Sequence, residues 1–319
     1  MHEEPRSRTR PTAFYAAIVF LAGACYAASP PIIKAAEASG FTWQQTTFAQ
    51  CLFGLVLFAV AAAGAVARKA PGTRIDLREA LRLVTLGLIT CSVTLLYTFT
   101  LSLVSASMAL TLLFQFVWMG IALEAILARR PPKPVELVAT VFVLAGAYLG
   151  SGLADEGIGA LSVVGLVAGV GTAACYTANL FLSGRMGVFT NWAVRGLFVN
   201  IGTMIPAFIF CPAFFVSGAL AHGIALPGFS LGLVGQLLPI VLLGVATKHL
   251  PAGLTTIMAS SELPVGILLA VLVLGESATP LKVLGVAFVL AGIAMTQIPE
   301  LARMRKIPER NAPDKNAIA

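Results

Sequence analysis

The chain has 319 residues, 58% of them hydrophobic and 11% charged, with a formal net charge of +7 and a mean hydropathy of +0.91. Soluble domains carry roughly 25% charged residues, so this composition excludes an ordinary globular protein. The positive surplus would suit a nucleic-acid binder by amount alone, but its distribution along the chain points to a membrane instead.

A hydrocarbon core takes roughly 20 apolar residues per helical span. Such stretches occupy residues 13–34, 43–67, 80–103, 106–128, 134–153, 160–182, 192–216, 231–249, 253–275 and 279–298. They are rich in Leu, Val, Ala and Gly and lack strand-like alternation, which favours helices over a β-barrel. The predicted fold is an all-α integral membrane protein of about ten transmembrane helices. Residues 1–12 form a cytoplasmic N-terminal segment. The first apolar stretch continues past Cys25, so it reads as an uncleaved span rather than a signal peptide. Residues 68–82 carry mixed charge and suggest a short surface helix. Asp155 and Glu156 form an acidic patch in an outer loop, and the basic tail 299–319 reads as disordered. Cys25, Cys51, Cys91, Cys175 and Cys211 all fall inside predicted helices without a Cys-x-x-Cys pair, so they read as buried free thiols rather than disulfide or metal positions.

With the N-terminus in the cytoplasm, all of the 21 Lys and Arg residues except Lys34 and Lys282 fall on the cytoplasmic side. This asymmetry is the positive-inside pattern, and it places both termini in the cytoplasm. No nucleic acid is expected as a partner.

Phe142-Val143-Leu144-Ala145-Gly146 recurs as Phe288-Val289-Leu290-Ala291-Gly292, and Ala24-Cys25-Tyr26-Ala27-Ala28 is echoed by Ala174-Cys175-Tyr176-Thr177-Ala178. The offsets are 146 and 150 residues, close to half the chain. The two repeats run over 13–153 and 160–298. With five spans in each, the second copy is expected to lie upside down relative to the first. Inverted repeats place a substrate site near the midplane, between the halves. Arg129-Arg130 in the first repeat corresponds to Gly275-Glu276 in the second, a charge reversal that fits loops on opposite sides.

The strings Glu262-Leu263-Pro264-Val265, Val273-Leu274-Gly275-Glu276, Leu284-Gly285 and Leu290-Ala291-Gly292 resemble the EamA-domain family of the drug/metabolite transporter superfamily. The resemblance implies a ten-helix bacterial inner-membrane carrier, commonly an exporter of amino acids, other metabolites or toxic compounds. It also implies a hairpin role for Gly275 and Glu276.

Several polar residues at membrane depth are candidates for the substrate pathway. Glu262 falls near the midplane, where a carboxylate costs about 3 kcal/mol on insertion scales and is tolerated in a cavity or beside a partner. Such a group can take up and release a proton during transport. The alternative is a structural carboxylate tied to a neighbouring helix. Pro264 is expected to bend this helix and free the Ser260 carbonyl. Gln115 is adjacent to Phe116, the repeat counterpart of Glu262, and with Trp118 one turn on it suggests a pocket wall. Tyr26 and Tyr176 are repeat-related. Pro30 frees the Tyr26 carbonyl, and Asn179 shares a helical face with Tyr176. Tyr97, Gln50 and Asn200 are weaker versions of the same case. Glu124, near Arg129 and Arg130, is a possible second acid, explained equally by pairing or snorkelling.

No His-Glu-x-x-His and no phosphate-binding Gly-x-x-x-x-Gly-Lys occurs, so no cofactor, metal or catalytic set is expected. The expected function is secondary transport of a small organic solute, most simply export of an amino acid or related metabolite, with the lipid bilayer, and conceivably protons, as the other partners. Efflux of cationic drugs remains open. So does an intramembrane enzyme, which requires Glu124 and Glu262 to converge, or a non-transporting membrane partner.

Overall fold

The computed structural model describes residues 12–129, 131–132, 134–150, 162–246, 249, 258 and 261–305. The acidic pair Asp155–Glu156, the segments 1–11 and 306–319, and the Ser260 carbonyl lie outside the described residues. The described residues form helices and no strand. Among the described residues seven apolar segments are long enough to cross a membrane: Ala13–Ala38, Trp43–Ala67, Leu77–Leu103, Ala106–Leu127, Val163–Ser183, Trp192–Phe210 and Ala225–Ala246. Three shorter apolar helices occupy Pro134–Gly150, Glu262–Leu274 and Pro280–Gly292.

Several spans are interrupted where the sequence suggested continuity. The first divides into α1 (Thr12–Ala27) and α2 (Ser29–Ala38). Pro30 and Pro31 occupy the first turn of α2, where a missing N–H costs nothing because that turn has no intrahelical acceptor. Pro30 thus starts a second helix instead of kinking one. Next come α3 (Trp43–Ala67), with a capping box between Thr42 and Gln45, and α4 (Leu77–Leu103), whose first turn is capped by Asp76. The surface helix expected over 68–82 is therefore a turn that ends at a cap, with the span starting at Leu77.

The fourth span is broken into α5 (Ala106–Leu113) and α6 (Phe116–Ala128). Beyond it lie α7 (Pro134–Gly150), α8 (Val163–Ser183) and α9 (Trp192–Phe210), which ends at Cys211 rather than at 216. The next span starts earlier than expected. It comprises α10 (Ala225–Gly232), one π turn over Leu233–Leu237, and α11 (Leu238–Ala246). Last are α12 (Glu262–Leu274) and α13 (Pro280–Arg305).

Contacts recur at matching places in the two halves. α7 packs along α13 with Phe142 stacked on Phe288, its counterpart at the repeat offset, at 5.3 Å. The glycines there are reciprocal. A Cβ on Gly146 would meet the Val289 backbone nitrogen at 2.7 Å, and one on Gly292 would meet Val143 at 3.0 Å. Each residue touches the counterpart of the other's partner, which is the signature of a two-fold joint. α6 and α12 both span 13 residues, and both end in the left-handed region, at Arg129 (φ 50°) and Gly275 (φ 70°). Elsewhere α4 crosses α9 where Gly87 faces Gly202, and α3 crosses α10 where Gly54 faces Gly232. Small residues let membrane helices approach until backbone touches backbone.

Gly146→Leu should therefore destabilise the protein by about 1–3 kcal/mol through overpacking. The measurement is thermal unfolding in detergent, with Gly120→Leu, whose Cβ would meet nothing within 4 Å, as the unchanged control.

Candidate functional site

A cavity of about 1180 Å³ lies among α1, α2, α3, α4, α8, α9, the π turn and the start of α12. Its inner wall carries Glu262, Tyr26, Tyr97, Tyr176 and Asn179. Its outer part runs to Pro71 and Gly72, to the loop Gly184–Asn191, and to His249. These loops are docked on each other. The Asn191 amide donates to the Gly72 carbonyl (2.8 Å), and Glu79 accepts from the Gly187 amide (2.8 Å). Gly72 takes φ +74°, and a Cβ there would meet the Phe189 carbonyl at 2.6 Å. Arg195 holds the same loop by donating to the Ser183 carbonyl (2.9 Å) and the Met186 carbonyl (3.2 Å).

Glu262 is not in the middle of a helix. It is the first residue of α12, after a turn at Ser261 whose hydroxyl donates to the Phe20 carbonyl of α1 (3.0 Å). At a helix N-terminus the unpaired amides favour a carboxylate, so the break itself makes an acid tolerable in the membrane. Pro264 lies in the first turn of α12, where its missing N–H removes no bond within that helix. Glu262 lies within electrostatic reach of Tyr26, Tyr97 and Tyr176. Phe116, its counterpart in the first half, packs edge-on against Tyr176 at 5.0 Å. Asn179 donates to the Thr90 hydroxyl (2.6 Å), which orients its amide at the cavity wall.

Gln115 and Trp118 are not part of this wall. At the α5–α6 break the Gln115 amide N–H turns to the Leu112 carbonyl (3.2 Å), leaving the Thr111 carbonyl without its helical partner. The Gln115 side chain takes that place, donating to the Thr111 carbonyl at 3.2 Å while accepting from the Trp118 indole at 3.0 Å. These two residues repair a helix break. Glu124 is exposed on α6 and outside the cavity lining, so it does not converge with Glu262.

The opposite face is closed. Ile33, Leu101, Ala106, Ala109, Leu231 and Ala270 form a buried apolar cluster there. The turn joining α4 to α5 is clamped by charge on both sides. Lys34 donates to the Leu101 carbonyl at the end of α4 and pairs with Glu37 at 3.7 Å. Glu276 accepts from the Ala106 amide (2.6 Å) and the Ser107 amide (3.3 Å) at the start of α5, and pairs with the nearly buried Lys282 at 3.6 Å. A cation thus meets a helix C-terminus and an anion a helix N-terminus, each the favourable end. The two cations that depart from the charge asymmetry are both held in these clamps. Gly275 takes the left-handed conformation that lets the Glu276 amide reach back to the Ala270 carbonyl (3.2 Å) and close the end of α12.

The sequence reading singled out Gln50 and Asn200 only weakly and Gln236 not at all, yet all three line the cavity. Two glycines beside them, Gly54 and Gly235, were the available signal. Cys51 and Cys91 are buried, whereas Cys25, Cys175 and Cys211 are only part-buried, and all five thiols are free. Among the described residues no group of three or more His, Cys, Asp or Glu is placed to hold a metal.

The arrangement is that of a multi-pass membrane protein with an acid-bearing cavity between its helices. Residues 13–152 match the model of the EamA-like transporter family, within the drug/metabolite transporter superfamily, which gives this segment its family. The matched segment is the first half, whereas the strings that carried the resemblance lie in the second. A solved structure described as "Crystal structure of protein" superposes with a TM-score of 0.60 at 17% identity, covering 92% of this chain and 98% of that one. At that identity the likeness is one of fold. No curated protein matches the chain.

Three substitutions separate structure from chemistry here. Glu276→Ala leaves Lys282 buried and unpaired, at an expected cost of about 3 kcal/mol. Adding Lys282→Ala should cost less than the sum of the single changes in a double-mutant cycle of thermal melts. Gln115→Leu strands the Thr111 carbonyl and the Trp118 indole, and should lower stability by about 1–3 kcal/mol. Solute selectivity, measured alongside, should not change.

Proposed function

We propose that this protein is a secondary transporter that exports a small organic solute, an amino acid or related metabolite, by alternating access with Glu262 as its proton-responsive group. The observation that carries this reading is a carboxylate at a helix break, inside a cavity large enough for a metabolite and walled by Tyr26, Tyr97 and Tyr176. A binding site at discontinuous helices suits a carrier, because backbone and side-chain groups freed by the break can meet the solute. The EamA-like match over residues 13–152 supports the same class.

In this reading about ten spans form two inverted five-helix halves in a bacterial inner membrane, with both termini cytoplasmic. The reciprocal α7–α13 joint and the equal lengths of α6 and α12 favour the two-fold arrangement. The cavity then reaches the cytoplasmic face, between the loops at residues 71–72 and 184–191, while the clamped α4–α5 turn closes the outside. Loading from the cytoplasm is what an exporter needs in this state. An ion gradient supplies the energy, since the sequence carries no phosphate-binding loop.

A second reading, efflux of cationic compounds, is favoured by three tyrosine rings around one acid, because aromatic faces attract organic cations. Convergence of Glu124 with Glu262, which an intramembrane enzyme would use, is not met.

The test is reconstitution in liposomes with labelled amino acids, amines and dyes, with and without a pH gradient. At least one solute should show gradient-driven flux, falling at least about tenfold in Glu262→Gln. Unchanged flux in that variant would remove Glu262 from the mechanism, and no flux for any solute would sink the carrier reading.

A further inference from the structure

The cavity holds a second set of polar groups that the acid and its tyrosines do not use. Ser29 of α2, Gln50 of α3, Asn200 of α9 and Gln236 of the π turn all line it. They meet around two glycines. A Cβ on Gly54 would fall 2.8 Å from Asn200 Oδ1 and against Gln236 Oε1, and one on Gly235 would fall 3.0 Å from Ser29 Oγ and 3.4 Å from Gln50 Nε2. Both glycines keep open a space into which four helical segments direct polar side chains.

The π turn has a positional consequence. An extra residue in the helical ladder re-aims the side chains of Leu233–Leu237, and such bulges are concentrated at functional sites. Here it presents Gln236 beside Asn200.

The hydrogen bonds of this cluster are incomplete in one direction. Asn200 is 3% exposed and its Nδ2 donates to the Gly196 carbonyl at 2.9 Å. Its Oδ1 is buried and finds no donor among the described residues. A stranded buried acceptor is costly unless something fills it. Asn200 lines the cavity, and its stranded oxygen lies with the Gln236 Oε1 against Gly54.

We propose that Gln236 and Asn200 form an acceptor subsite for a hydrogen-bond-donating group, a hydroxyl or second amine, at the end of an amine solute remote from the ammonium that Glu262 binds. The subsite rests on the carrier reading only in taking Glu262 as the ammonium partner. Glu262 supplies charge, and the amide pair reads the far end. Gly54 fixes how closely that end can approach. The solute class is then a bifunctional amine, such as an amino alcohol or diamine, rather than a simple alkylamine.

The probes are amino alcohols and diamines with three to six methylenes, each compared with the alkylamine of equal length. Binding is measured by calorimetry on the purified full-length protein in detergent. One bifunctional length should bind about tenfold more tightly than its alkylamine, the effect of one added hydrogen bond. Gln236→Leu and Gly54→Ala should each erase that preference and leave alkylamine affinity in place, while Glu262→Gln should weaken both probes alike. Asn200→Asp should turn the preference towards the diamine. Equal binding of all probes, no binding of any, or a preference that survives both Gln236→Leu and Gly54→Ala overturns the subsite. Binding preference without flux in liposomes would instead sink the carrier reading and leave the subsite standing.

Discussion

Inside a hydrocarbon layer no water is at hand to satisfy an interrupted helix, so every break must be closed by the chain itself. Most of what is distinctive in this structure follows from that constraint. The α1–α2 break falls where Pro30 and Pro31 remove the donors that would otherwise be stranded. At the α5–α6 break, Gln115 returns its side chain to the carbonyl its own backbone abandons. At the head of α12 the first turn carries Glu262, an acid at the favourable end of a helix. The α4–α5 turn ends in bare carbonyls on one side and bare amides on the other, and a lysine and a glutamate from other parts of the chain cover them.

The breaks also bear on positions 116 and 262, which are matched at the 146-residue offset but differ in chemistry. Phe116 and Glu262 hold the same place at the start of α6 and α12. One half fills that place with an aromatic ring against Tyr176, and the other with an acid facing the cavity. Each position tolerates a polar group because of the helix terminus beneath it, but only one half uses that tolerance.

Apolar length is summed over many residues, so the all-helical, membrane-spanning character was legible in the sequence. Interruptions were not. Around Phe114–Gln115 no proline or glycine announces a break, and the deciding bond is a side chain returning four residues to a carbonyl. Gln115 therefore read as a cavity group when its amide is occupied within its own helix. Glu262, Tyr26, Tyr97, Tyr176 and Asn179 were visible as polar residues at membrane depth, and the structure brings them to one cavity. Gln236 was not visible, because its direction is set by a π turn. That turn is a property of helical register, which hydropathy does not record. Glu276 was legible as a hairpin element by resemblance, yet its donors, the Ala106 and Ser107 amides, lie 170 and 169 residues away.

The joint between α7 and α13 has a consequence for origin. Phe142 meets Phe288, and each glycine meets the counterpart of the other's partner. The two surfaces are therefore near copies that fit each other. A polypeptide of half this length would already carry a seam able to receive its own duplicate. Within one chain the two surfaces can differ residue by residue, and of the paired positions 116 and 262 only the second is an acid.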